Sequence, residues 1–182
     1  REALYSMLVE PAFFILVGSL ALFTNNISFH DLYLNLHIGS NLSYIIGLTA
    51  IYILIFIAMT ENSRMPIDDP RTHLELTMVH EVMVLDNSGF DLALMHIATW
   101  LKFSIYGTLI TNFMIQDAWP VYIQFISFLS IQIVFASLVG LLESFRARNK
   151  MDKNPQWIIM ISAIAIVTFL TTLILTNKIT LN

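Results

Sequence analysis

Cysteine is missing altogether from the 182 residues. That excludes disulfides, a thiolate-held zinc ion and any iron–sulfur cluster ligated by this chain, so a redox centre that serves it must sit on another polypeptide. Charge is almost as scarce. Only 12% of the residues are Asp, Glu, Lys or Arg, against 57% apolar, and the mean hydropathy is +0.72. This lies outside the composition of a soluble domain and defines a membrane protein with the lipid bilayer as its first partner. The formal net charge of −4 is spread over a few loops and offers no basic field to a nucleic acid. Internal repeats and low-complexity tracts are also lacking, and with them the inverted-repeat signature of many carriers.

A hydrocarbon core of about 30 Å takes about 20 apolar residues in a helix rising 1.5 Å per residue. Five runs reach that size: Leu4–Phe23, Leu42–Thr60, Phe90–Ile115, Trp119–Leu142 and Trp157–Leu175. The expected fold is all-α, a polytopic membrane protein of about five transmembrane helices plus one amphipathic helix on the cytoplasmic side. Residues 1–182 are expected to form a single membrane domain. The opening Arg1-Glu2 carries none of the regions of a signal peptide, and the chain reads as the C-terminal part of a longer protein.

Lysine and arginine accumulate in cytoplasmic loops. Arg1, Arg64, Arg71, Arg146, Arg148, Lys150 and Lys153 fall on one side of the proposed spans, and Lys178 alone on the other. The start of the chain is therefore expected inside, in the cytoplasmic (inner) membrane. The Thr24–Asn41 link, with His30, Asp31 and His37, is expected to be a polar external loop.

Against this apolar background, residues 61–91 stand apart. They hold seven of the thirteen carboxylates, Glu61, Asp68, Asp69, Glu75, Glu81, Asp86 and Asp91. Carboxylates gathered at a membrane edge mark ion or proton paths, and the stretch is expected to face the cytoplasm. Asp69-Pro70 is a helix start and Asn87-Ser88-Gly89 a stop. Between them Leu74, Met78, Val82 and Leu85 share one face, while His73, Thr77, His80 and Glu81 share another. Glu75 projects among the apolar residues, where it needs a partner or a raised pKa. A zinc-protease motif is not completed, because Val84 stands where H-E-x-x-H requires its second histidine. No metal site and no catalytic group are assigned.

Outside that stretch, three spans carry ionisable groups. Glu10-Pro11 lies in the first, where proline removes a backbone donor; either the helix starts there or Glu10 enters a polar path. Lys102 lies near the middle of the third and eleven residues beyond Asp91, on the same helical face. A mid-membrane lysine must snorkel, pair or face a wet cavity. Glu143 closes the fourth span, ahead of a basic run that suits lipid head groups.

The passage Glu61-Asn62-Ser63-Arg64-Met65-Pro66-Ile67-Asp68-Asp69-Pro70, continuing through Thr72-His73-Leu74-Glu75-Leu76-Thr77, resembles the membrane subunit of energy-converting nickel-iron hydrogenases and formate hydrogenlyase (the subunit 4 type). That family is related to subunit 1 of respiratory complex I (NADH dehydrogenase). Arg1-Glu2-Ala3-Leu4, Val9-Glu10-Pro11, Glu143-Ser144 and Ala147-Arg148 are similar to it as well. Pro66-Ile67-Asp68 and Asp86-Asn87-Ser88-Gly89 stand where the complex I branch has P-F-D and E-Y-S-G, but Arg71 and His73 replace acidic positions and several residues are added between Glu75 and Asp86. Lys102 and Glu143 resemble the hydrogenase branch.

The resemblance implies a non-catalytic anchor and ion-coupling subunit. It would join a cytoplasmic hydrogenase module, of large and small subunits holding the nickel-iron centre and iron–sulfur clusters, to antiporter-like membrane subunits. The chain itself would bind no cofactor. The expected ion-coupling residues are Glu10, Glu61, Asp68, Asp69, Glu75, Glu81, Asp86, Lys102 and Glu143, with Arg64, His73, His80, Asp91 and Arg148 in support. A quinone-site subunit of a complex I-like NADH dehydrogenase and a freestanding ion carrier are the alternatives.

Overall fold

A computed structural model of the chain describes residues 2–36, 41–62, 64, 88–115, 119–145 and 154–176. Among them the secondary structure is helical throughout: α1 (Glu2–Thr24), α2 (Phe29–Leu36), α3 (Asn41–Glu61), α4 (Phe90–Asn112), α5 (Val121–Phe145) and α6 (Asn154–Leu175). All five expected long helices form, with ends a few residues from the apolar runs. The chain is an all-α, polytopic membrane protein. Met7–Thr24, Ser43–Glu61, Val121–Phe145 and Gln156–Leu175 are long and apolar enough to cross a bilayer. The remaining long helix, α4, has 23 residues and ample length, but Asp91, His96 and Lys102 make it the least apolar of the five. The expected amphipathic helix between Asp69 and Asp86 lies outside the described residues.

The core is built where α1, α3 and α6 meet, and α1 and α6 share the most extensive contact. Val9, Ala12, Leu16 and Leu20 form the inward stripe of α1 at helical spacing. They meet Ile53 and Ile57 of α3 and Ile158, Ile161 and Ala165 of α6, all buried. Hydroxyls in this core do not need cross-helix partners: Ser19 donates to Leu16 O at 2.6 Å, Thr168 to Ala165 O at 2.7 Å and Thr172 to Phe169 O at 2.8 Å. Each thereby satisfies itself on its own helix, as buried hydroxyls must in a medium without water.

Two features differ from the simplest reading of the sequence. Helix α1 does not begin at Pro11 but runs through it from Glu2. The proline ring removes the donor that would serve the Met7 carbonyl, yet the helix continues because the flanking turns are packed. The Thr24–Asn41 link, expected as a polar loop, contains α2. Phe29, Leu32, Tyr33 and Leu36 fall at i, i+3, i+4 and i+7, which is the apolar period of a helix. Leu32 is buried, and Tyr33 packs edge-on against Phe113 with ring centroids 4.9 Å apart. Burial pushes the Tyr33 phenol up to about 12, so this ring stays neutral.

Helix α4 lies against α3, and α5 packs mainly on α4. The α4–α5 contact is close because position 107 has no side chain. A Cβ on Gly107 would overlap the Gln132 amide. That amide reaches Ser104 O at 3.4 Å and Thr108 Oγ1 at 3.5 Å, while Phe103 and Phe135 stack at 4.8 Å. Small residues that admit a polar neighbour are a common device for joining helices in lipid. Gly107→Ala is expected to weaken this joint by about 1–2 kcal/mol, read as a lower thermal unfolding midpoint of the detergent-solubilised protein. Adding Gln132→Ala to the same chain removes the overlap and recovers most of the loss.

Candidate ion-coupling site

The end of α3 sets the geometry. Apolar Ile53 and Ile57 hold the helix in the core, and Glu61 follows one turn later on the same face. The helix stops in an ordered way, since Asn62 N and Nδ2 both donate to Ala58 O, at 3.1 and 2.8 Å, and Arg64 N donates to Met59 O at 2.8 Å. These bonds satisfy carbonyls that a helix terminus leaves without partners. They also fix the direction in which Glu61 and Arg64 leave α3.

Lys102 of α4 meets this terminus. Its ammonium donates to Glu61 Oε2 at 3.0 Å and to the Glu61 backbone carbonyl at 3.2 Å. The Glu61 side chain is 10% exposed and that of Lys102 47% exposed. A carboxylate so covered needs a counter-charge. Asp91, although on the Lys102 face, is three turns away, about 16 Å along the axis. It lies exposed in the first turn of α4, where a negative charge suits the helix dipole.

Glu10 of α1 shares a cleft with Glu61. The cleft, about 240 Å³, is walled by Phe13 and Phe14 of α1, Ile57 of α3 and Tyr106 of α4. Tyr106 is one turn beyond Lys102, so both project toward α3. Sequence reading missed Tyr106; its signal was the i+4 spacing from a lysine that needed a partner. The result is two carboxylates and one phenol around a space that admits several waters, with the Lys102 ammonium bound to one of the carboxylates.

A second ion pair lies beyond the first. Arg64, just past α3, stands with Nη1 3.6 Å from Glu143 Oε1 near the end of α5. That oxygen and Asn62 Oδ1 are buried, and neither accepts a hydrogen bond among the described residues. The separation makes this a looser electrostatic contact than the Lys102–Glu61 pair. Of the residues expected to act in ion coupling, the structure therefore brings together Glu10, Glu61 and Lys102, and separately Arg64 and Glu143. Asp68, Asp69, His73, Glu75, His80, Glu81, Asp86 and Arg148 lie outside the described residues. Among the described residues no three His, Cys, Asp or Glu side chains are grouped as metal ligands would be.

A bundle of apolar helices with paired charges lodged between them defines a polytopic membrane protein. The profile of the NADH dehydrogenase family matches residues 1–176. The chain belongs to that family and is a membrane subunit related to those of complex I. No curated protein and no solved structure matches it.

Lys102→Met removes the ammonium that stands 3.0 Å from the Glu61 carboxylate. Allowing for the solvent reaching Lys102, the expected cost is about 1–2 kcal/mol, measured as a lower unfolding midpoint of the solubilised subunit. Glu61→Gln in the same chain removes the carboxylate charge and should restore part of it, a coupling that a double-mutant cycle reads directly.

Proposed function

We propose that the chain is the membrane anchor and ion-coupling subunit of a hydrogenase or formate hydrogenlyase-type complex. In this reading it links redox chemistry on the cytoplasmic side to proton or sodium translocation. The observation that carries the reading is that Glu10 and Glu61 border one cleft at the edge of the acidic segment, with Lys102 paired to Glu61. Charges held between apolar helices cost free energy, and a membrane subunit keeps them where their occupancy can be altered.

The coupling is electrostatic. One added elementary charge about 10 Å from a carboxylate, at an effective dielectric constant of about 20, is worth about 1.7 kcal/mol. That moves a pKa by about one unit, enough to change whether a carboxyl group holds a proton. An electron arriving in a neighbouring subunit therefore shifts ion occupancy in this one without direct contact. Glu75, Glu81, Asp68, Asp69 and Asp86 extend the same role toward the redox partner. Because the sequence has no cysteine, the nickel-iron centre and iron–sulfur clusters belong to the large and small hydrogenase subunits. Antiporter-like subunits take up the ions on the other flank.

Two residues favour the hydrogenase branch over a quinone-reducing one. Lys102 and Glu143 are the residue types that resemble that branch.

Purification of the native complex tests the assignment, with a nickel-binding large subunit expected to accompany this chain; recovery of a quinone-dependent dehydrogenase or of the chain alone would overturn it. In the assembled complex, Glu61→Gln is expected to lower ions translocated per turnover about tenfold, equivalent to about 1.4 kcal/mol of barrier. Translocation at the parent level would remove the cleft from the ion path.

A further inference from the structure

We propose that Tyr106 is a relay residue of this cleft, its hydroxyl bridging Glu10 to Glu61 through water so that the species handed across is a proton. The inference rests on the ion-coupling reading and names a residue and an ion that the reading leaves open. Three observations support it. First, Glu10 and Glu61 arise from different helices and border the same space, with Tyr106 bordering it from a third. Second, Glu61 Oε2 and the Glu61 carbonyl are both engaged by the Lys102 ammonium. A sodium ion needs several free oxygen ligands, and here a fixed cation already occupies two of the oxygens it would use. Third, the remaining walls, Val9, Phe13, Phe14 and Ile57, offer no oxygen beyond the backbone.

A phenol suits the gap because it is both donor and acceptor. When a protonated carboxyl or hydronium approaches one side, a new O–H bond forms to the phenol oxygen while its own O–H bond breaks toward the carboxylate on the other side. The phenol ends neutral with its hydrogen exchanged, and one proton has crossed. No electron moves and no further reagent is consumed. Lys102 holds Glu61 in place during the transfer and spreads the cost of its negative charge.

The test uses the assembled complex in sealed membrane vesicles, with proton uptake followed by a pH-sensitive dye and turnover followed separately with a protonophore present. Tyr106→Phe keeps the ring and removes the hydroxyl. The expected result is about a tenfold fall in protons moved per turnover, the effect of about 1.4 kcal/mol in the transfer barrier, with protonophore-released turnover held within about twofold of the parent. Proton movement in the parent should not depend on sodium. Tyr106→His, which restores a donor and an acceptor, should regain at least half of the lost transport and give it a new pH dependence near the histidine range. A merely structural ring would give neither the rescue nor the altered profile. If Glu61→Gln impairs transport and Tyr106→Phe does not, the relay is wrong and the cleft reading stands. If both variants transport like the parent, the cleft reading falls and the relay with it. Transport that requires sodium, or failure of Tyr106→His to rescue, overturns the relay.

Discussion

A positive charge on an apolar helix has to be matched, and the rest of this structure follows from how Lys102 is matched at the end of α3. At the centre of an isolated helix in lipid, an ammonium costs about 3 kcal/mol even on the most lenient insertion scale. Seated 3.0 Å from Glu61 Oε2, it turns the approach of α4 to α3 from a liability into a specific contact. The pairing fixes the relative level of the two helices. With the level fixed, Tyr106 and Glu10 come to border the same cleft.

The apolar framework had to be in place first. α1, α3 and α6 bury a continuous set of aliphatic side chains and satisfy hydroxyls such as Ser19, Thr168 and Thr172 within their own helices. α5 stands differently. Only 11% of its span is buried within the chain, and its tie to α4 depends on Gly107 making room for Gln132. The rigid part and the loosely attached part are connected through α4, the helix that also carries the lysine.

Much of the fold could be read from the residues because membrane spans advertise themselves. A run of about 20 apolar residues has few alternatives to a helix, so α1, α3, α4, α5 and α6 were all anticipated. α2 was not, since eight residues with His30, Asp31 and Asn35 among them look like a loop until the i, i+3, i+4, i+7 apolar set is counted. The need of Lys102 for a partner was legible, but the partner was not. Glu61 is 41 positions away in the chain, and no spacing rule reaches across two helices. Helical periodicity pointed instead to Asp91, which shares the face but not the level. Glu10 was named from the sequence but its neighbours were not, and Tyr106 was missed, for the same reason: a cleft between three helices is a property of their packing and has no local signature. The carboxylates of 65–87, the plainest feature of the sequence, fall outside the described residues, and their part in the mechanism rests on their type and order alone.

The second bond made by the lysine has its own meaning. One of its hydrogens goes to a main-chain oxygen of Glu61, an acceptor that cannot be protonated away at any ordinary pH, and one that carries the negative end of the α3 dipole. Neutralising the carboxyl group would remove one anchor and keep the other. The two helices can thus stay clasped while the electrical state of the clasp changes, which separates the mechanical duty of the pair from its role as a reporter of charge.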